Sequence, residues 1–90
     1  MVKLNQLKHA LALETHGNFY RAAAALNISQ PALSRSIQQL EQSMGVILFN
    51  RASDRVVPTD FGKILLIRAR TIVNESEEME LEMEQLVSVS

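Results

Sequence analysis

Asn27-Ile28-Ser29 constrains this chain more than any other segment, because it leaves two helices only a three-residue turn in which to change direction. Before it runs Ala22-Ala23-Ala24-Ala25, small and strongly helix-forming. After it, Leu33, Ile37, Leu40 and Met44 recur at helical spacing and fall on one side. Asn27 tolerates the left-handed conformation, Ile28 can plug a core, and Ser29 caps the helix that follows. Gln30 and Pro31 stand in the first turn, where a missing N–H does no harm. A short helix, this turn and a second helix predict a helix-turn-helix.

The flanks extend the pattern. Leu4, Leu7 and Leu11, with Ala10 beside them, predict a first helix over 4–16 that Gly17 ends. Asn18 is an N-cap for the short helix from Phe19 to about Leu26. Gly45 ends the third helix. Two short apolar runs follow, Val46-Ile47-Leu48-Phe49 and Val56-Val57-Pro58. They predict a β-hairpin, a wing over 46–57, with Pro58 limited to an edge or a strand end. Thr59 then caps a last helix that nothing interrupts before about Ser88, roughly 43 Å at 1.5 Å per residue. The expected fold is mainly α: a winged helix-turn-helix of three helices and a two-stranded wing over 1–58, then a long dimerisation linker helix over 59–90.

Ninety residues allow one small domain with an appended element. There are no cysteines, so neither disulfides nor thiolate metal sites can assist the fold. No apolar segment reaches the ~18 residues of a membrane span, and the first residues lack the apolar core of a signal peptide. A cytoplasmic location is the expectation. The net charge of −1 conceals a division. Residues 1–73 carry nine Lys/Arg against four Asp/Glu, a balance of +5, whereas residues 74–90 carry six Glu and no Lys/Arg. Only the basic body should favour a polyanion. No catalytic constellation is present, and neither an enzyme nor a cofactor is expected. His9 and His16 share a face but stand ~10 Å apart along the axis, too far to share a metal.

The outer face of the third helix holds Pro31, Arg35, Gln38, Gln39 and Gln42, with Ser34 at its edge. A solvated face is usually rich in Lys and Glu. Amides, a hydroxyl and one guanidinium suit hydrogen-bond patterns such as base edges in a DNA major groove. On that reading Gln30, Pro31, Ala32, Ser34, Arg35 and Gln38 contact bases. Ser29 and the free N–H groups at the helix start hold a phosphate, and Arg21, Arg51 and Arg55 grip the backbone or, from the wing, the minor groove. The alternative is a core helix with a polar back, in a helical module that binds protein.

The residues Phe19, Ala22-Ala23, Leu26, Ser29 through Arg35, Ile37, Leu40-Glu41, Gly45, Leu48-Phe49, Arg51, Thr59 and Gly62 together resemble the N-terminal region of LysR-type transcriptional regulators. The resemblance covers nearly the whole chain. It implies a winged helix-turn-helix, sequence-specific binding of double-stranded DNA, and a dimerising linker helix. Its base-reading positions match Gln30, Pro31, Ala32, Ser34 and Arg35; Arg51 and Arg55 match wing positions. Ile47, Asn50 and Phe61 depart from the family's usual residues. Family members are usually much longer and carry a C-terminal domain that binds a small-molecule co-inducer. The chain is therefore expected to be the DNA-binding part of such a regulator, without that effector-binding domain.

The last helix contains a heptad. Leu65, Ile72, Met79 and Leu86 form one seam position, and Gly62, Ala69, Ser76 and Met83 the other, mostly small. Its first turns, with Phe61, Leu65 and Leu66, are expected on their own domain. The remainder overhangs a small body and predicts a homodimer through Leu65, Ala69, Ile72, Ser76, Met79, Met83 and Leu86. An antiparallel pair would set the six glutamates of one chain against Lys63, Arg68 and Arg70 of the other, where a parallel pair would set acid against acid.

Overall fold

In a computed structural model that describes residues 1–51 and 54–89, the elements run α1 (Leu4–His16), α2 (Phe19–Leu26), α3 (Gln30–Met44), β1 (Phe49–Asn50), β2 (Val57–Pro58) and α4 (Asp60–Val89). The predicted caps operate. The Asn18 side chain accepts from Arg21 N at 2.9 Å, and Ser29 Oγ accepts from Ala32 N at 3.2 Å. Asn27 adopts φ 58°, which releases Ile28 N to bond Ala23 O at 3.0 Å and turns the chain into α3. Gly17, at φ 64°, closes α1 through its N–H to Leu13 O, and its own carbonyl accepts from Val56 N at 2.9 Å. The return strand of the wing is thereby pinned to the end of α1.

The core gathers one stripe from each element. Leu7, Ala10 and Leu13 of α1 meet Ala22 and Ala23 of α2, and all three of Leu33, Ile37 and Leu40 on α3 are fully buried. Leu48, Phe49 and Val56 close it from the wing side, and Leu66, Ala69 and Val73 from α4. Two bonds tie the helices beyond this packing. His9 Nδ1 lies 2.7 Å from Ser36 Oγ, joining α1 to α3, and Arg70 pairs with Glu14 at 3.0 Å, joining α4 to α1.

Several expectations are corrected. Met44 is 44% exposed rather than part of the buried stripe, because the last turn of α3 runs out past the core. The wing ladder is shorter than two apolar runs suggested: β1 and β2 pair only Phe49 with Pro58 and Asn50 with Val57. Leu48 and Phe49 turn their N–H groups to the Glu41 carboxylate instead, at 2.8 and 3.3 Å. The tip of the expected wing, Ala52 and Ser53, lies outside the described residues.

The joint between wing and α4 is a closed clasp. Thr59 N donates to Leu48 O, Thr59 Oγ1 donates to Ile47 O at 2.7 Å, and the same oxygen accepts from Gly62 N at 3.1 Å. Gly62 sits so close beneath that a Cβ there would lie 2.0 Å from Leu48 O. Gly62 and Ala69, expected along the free seam, are spent here: both are buried, and Ala69 is 1% exposed inside the domain core. A fully covered side chain has no surface left for a partner. Phe61, expected against its own domain, is instead exposed.

Candidate nucleic-acid interface

Three fully buried apolar residues fix α3, and its other side faces solvent. Gln30, Pro31, Arg35 and Gln38 are exposed, and Ala32 and Ser34 are half-buried at the flank. Gln39 and Gln42 continue the exposed amide row. Arg35 makes no salt bridge among the described residues. The face thus offers donors and acceptors to a partner outside the chain.

Two open grooves flank this helix and meet at Arg51. One, of about 1070 Å³, runs between the second half of α3 and the wing, past Gln38, Glu41, Gln42, Ile47, Asn50 and Arg51. The other, of about 340 Å³, lies between the starts of α2 and α3 and the wing, past Asn18, Tyr20, Gln30, Ser34, Arg51 and Asp54. Gln30 and Ser34 thus share one groove with Arg51, and Gln38 shares the other. Arg21 is exposed on α2 outside both grooves, as is Arg55, whose side chain lies against Gly17. Ser29 is exposed, and its hydroxyl oxygen already accepts the cap bond from Ala32.

Arg51 is held on two sides. Its Nη2 stands 3.6 Å from Glu41 Oε1, and its guanidinium lies 4.7 Å from the centre of the Phe19 ring, a cation–π contact. Sequence reasoning missed Glu41 because an isolated glutamate on a helix gives no sign of a partner seven or more residues away. It also missed Tyr20, an exposed aromatic at 68% that borders the smaller groove. A large apolar ring beside the basic Arg21 was the available signal.

Other chemistry finds little support. Among the described residues no group of three or more His, Cys, Asp or Glu converges on a point where a metal could sit. His9, half-buried against Ser36, has its pKa lowered by desolvation, and His16 is exposed. Among the described residues no helix is long and apolar enough to cross a membrane.

Of the seam residues on α4, Leu65 is half-buried against the core and Ser76 is half-buried. Ile72, Met79, Met83 and Leu86 are 48–63% exposed. Of the three basic residues expected to face a partner's acidic half, Arg70 is paired with Glu14 and Lys63 with Asp60 in its own chain. Arg68 makes no salt bridge among the described residues. It borders a shallow apolar depression of about 510 Å³ with Met44, Phe61, Ile64, Leu65 and Ile72.

Comparison with known proteins agrees with this geometry. The chain is 44% identical over 86 residues to the SDS degradation transcriptional activation protein of a Pseudomonas species, covering 96% of this chain and 28% of that one. The structure superposes on the BenM DBD in its complex with catB site 1 DNA with a TM-score of 0.92, at 31% identity and 97% coverage of both chains. Vibrio fischeri DarR, also solved in complex with DNA, gives a TM-score of 0.92 at 36% identity, covering 100% of this chain and 31% of DarR. The chain thus spans little more than a quarter of the length of the curated relatives it matches. The family model for bacterial regulatory helix-turn-helix proteins of the lysR type matches residues 4–63, and the chain belongs to that family.

Proposed function

We propose that this chain binds double-stranded DNA sequence-specifically as the DNA-binding part of a bacterial transcriptional regulator, with α3 in the major groove and the wing near the minor groove. The observation that carries this is the outer face of α3, where Gln30, Arg35 and Gln38 are exposed and Ser34 is half-buried beside them, on a fully buried base. Arg35 can donate two hydrogen bonds to guanine, Gln30 or Gln38 can pair with adenine, and Pro31 and Ala32 can meet a thymine methyl. Ser29, Arg21, Arg51 and Arg55 serve the phosphate backbone or the minor groove. Two similar chains are described in complex with DNA, which supports the same role here.

The functional unit is a homodimer. DNA reading belongs to residues 1–58 and pairing to residues 59–90, although the packing boundary falls later, at Val73. An antiparallel pair of α4 helices sets Met79, Met83 and Leu86 of one chain toward the depression beside Leu65 and Ile72 of the other. It also brings the glutamates toward Arg68. The protein works in the cytoplasm, without catalysis, and a small-molecule co-inducer is expected only for a full-length regulator of this family.

Selection of bound sites from random duplexes, followed by salt titration on the selected and a scrambled duplex, tests the reading. Steep salt dependence, a preferred site and twofold-related half-sites are expected. Equal binding to both duplexes at every salt concentration, or no binding, would overturn it. Ready disulfide formation by Leu65→Cys with the same position of a second chain would sink the antiparallel arrangement.

A further inference from the structure

Glu41 is an anomaly on a face meant for a polyanion, since a carboxylate there should repel phosphate. Its neighbours account for it. Glu41 Oε2 accepts from the backbone N–H groups of Leu48 and Phe49, where the chain enters the wing, and Oε1 faces Arg51 at 3.6 Å. The Glu41 side chain is 11% exposed and that of Arg51 35%. The charge is therefore turned inward and engaged at both oxygens. Arg51 is the residue on which both grooves converge, and the Phe19 ring of α2 supports its other side. A guanidinium engaged by both a ring and a carboxylate is restricted before any phosphate arrives, and with five N–H donors it retains the capacity to meet one. A flexible arginine would first have to surrender rotamer freedom in order to bind.

We infer that Glu41 is a positioning residue for DNA binding: with Phe19 it holds Arg51 in one orientation at the junction of the two grooves, as a preset clamp for a backbone phosphate. The inference rests on the proposed DNA-binding role. It assigns to the negative charge of Glu41 a favourable effect on binding an anion, the opposite of what charge alone predicts. Asp54, which borders the smaller groove, is an exposed carboxylate and lacks this inward engagement.

A double-mutant cycle on the selected duplex tests it, using Glu41→Gln, Arg51→Ala and the pair, with thermal unfolding of each protein measured alongside. Gln keeps an oxygen for the Leu48 and Phe49 N–H groups and replaces the oxygen facing Arg51 by an uncharged NH2, which cannot accept from the guanidinium. Arg51→Ala should weaken binding about tenfold and lower the salt slope by about 1, as loss of one phosphate contact does. Glu41→Gln should also weaken binding and lower the slope, yet change nothing further once Arg51 is alanine. Tighter binding by Glu41→Gln, or an equal loss in both backgrounds, would overturn the inference. Should Glu41→Gln fail to fold, Phe19→Leu replaces it, and a loss of affinity that vanishes in the Arg51→Ala background is again required. An unmutated protein with no preference for the selected duplex would instead defeat the underlying functional reading, so the two failures are distinct.

Discussion

The two halves of α4 are one continuous helix with opposite relations to the rest of the chain. From Asp60 to Val73 the helix is anchored: Gly62, Leu66, Ala69 and Val73 are buried at spacings of four, three and four. From residue 74 to residue 89 only Ser76 is even half-buried, while Met79, Leu81, Met83, Leu86, Val87 and Val89 all stand exposed. Both halves carry apolar residues at helical spacing. The difference is what lies beside them: a core in the first case and solvent in the second. Apolar periodicity in a helix therefore reports that a face is to be covered, without saying by which chain.

Substitutions along the helix should separate the halves sharply. The largest effect is expected at Gly62, where a methyl group would strike the Leu48 carbonyl. Gly62→Ala should cost about 3 kcal/mol or more, because the obstacle is backbone and cannot swing aside. A thermal transition unchanged from the parent protein would show that the clasp yields. Leu66→Ala should cost ~2–5 kcal/mol in denaturant unfolding, whatever the protein concentration. Leu86→Ala should stay within about 0.5 kcal/mol in dilute protein and lower stability only where the chain self-associates. Equal effects of the two at low concentration would erase the contrast.

The smallest effect distinguishes the body from the overhang by pH. Burial of His9 against Ser36 lowers its pKa from the ordinary 6.5. The folded state therefore disfavours the imidazolium that the unfolded chain accepts. This contribution is fully present above pH 6.5 and is lost as pH falls from there through the lower folded-state pKa. His9→Gln should flatten that part of the stability curve, as read by thermal unfolding between pH 7 and 5. An unchanged curve would remove His9 as its source.

The helices were legible in the sequence because each boundary is written in local chemistry. Gly17, Asn18, Asn27, Ser29 and Gly45 each satisfy the backbone groups that a helix end leaves open. The exposed face of α3 was legible for the same reason, since residue type and periodicity are enough to describe it. What escaped was set across the chain. The strands were overestimated because the N–H groups of Leu48 and Phe49 go to a side chain on α3 rather than to a neighbouring strand. Gly62 and Ala69 fitted a heptad by spacing, yet the carbonyl over Gly62 and the core around Ala69 belong to segments distant in sequence. The hold on Arg51 was equally invisible, because Phe19, Glu41 and Arg51 come from three different elements.

The anchoring of its first half also makes the overhang of α4 a lever. The helix leaves the wing as a single rod of 30 residues, about 45 Å long, with its root bonded to Ile47 and Leu48 and its tip free of the body. A rotation of about 10° about Val73, the last buried residue, carries the tip of the overhang, about 24 Å away, through about 4 Å, roughly one base-pair step of duplex. Small adjustments in the packing around Val73 are thus magnified into changes in where a second copy would be held, and a torque applied at the tip arrives first at the core contacts of Ala69 and Val73.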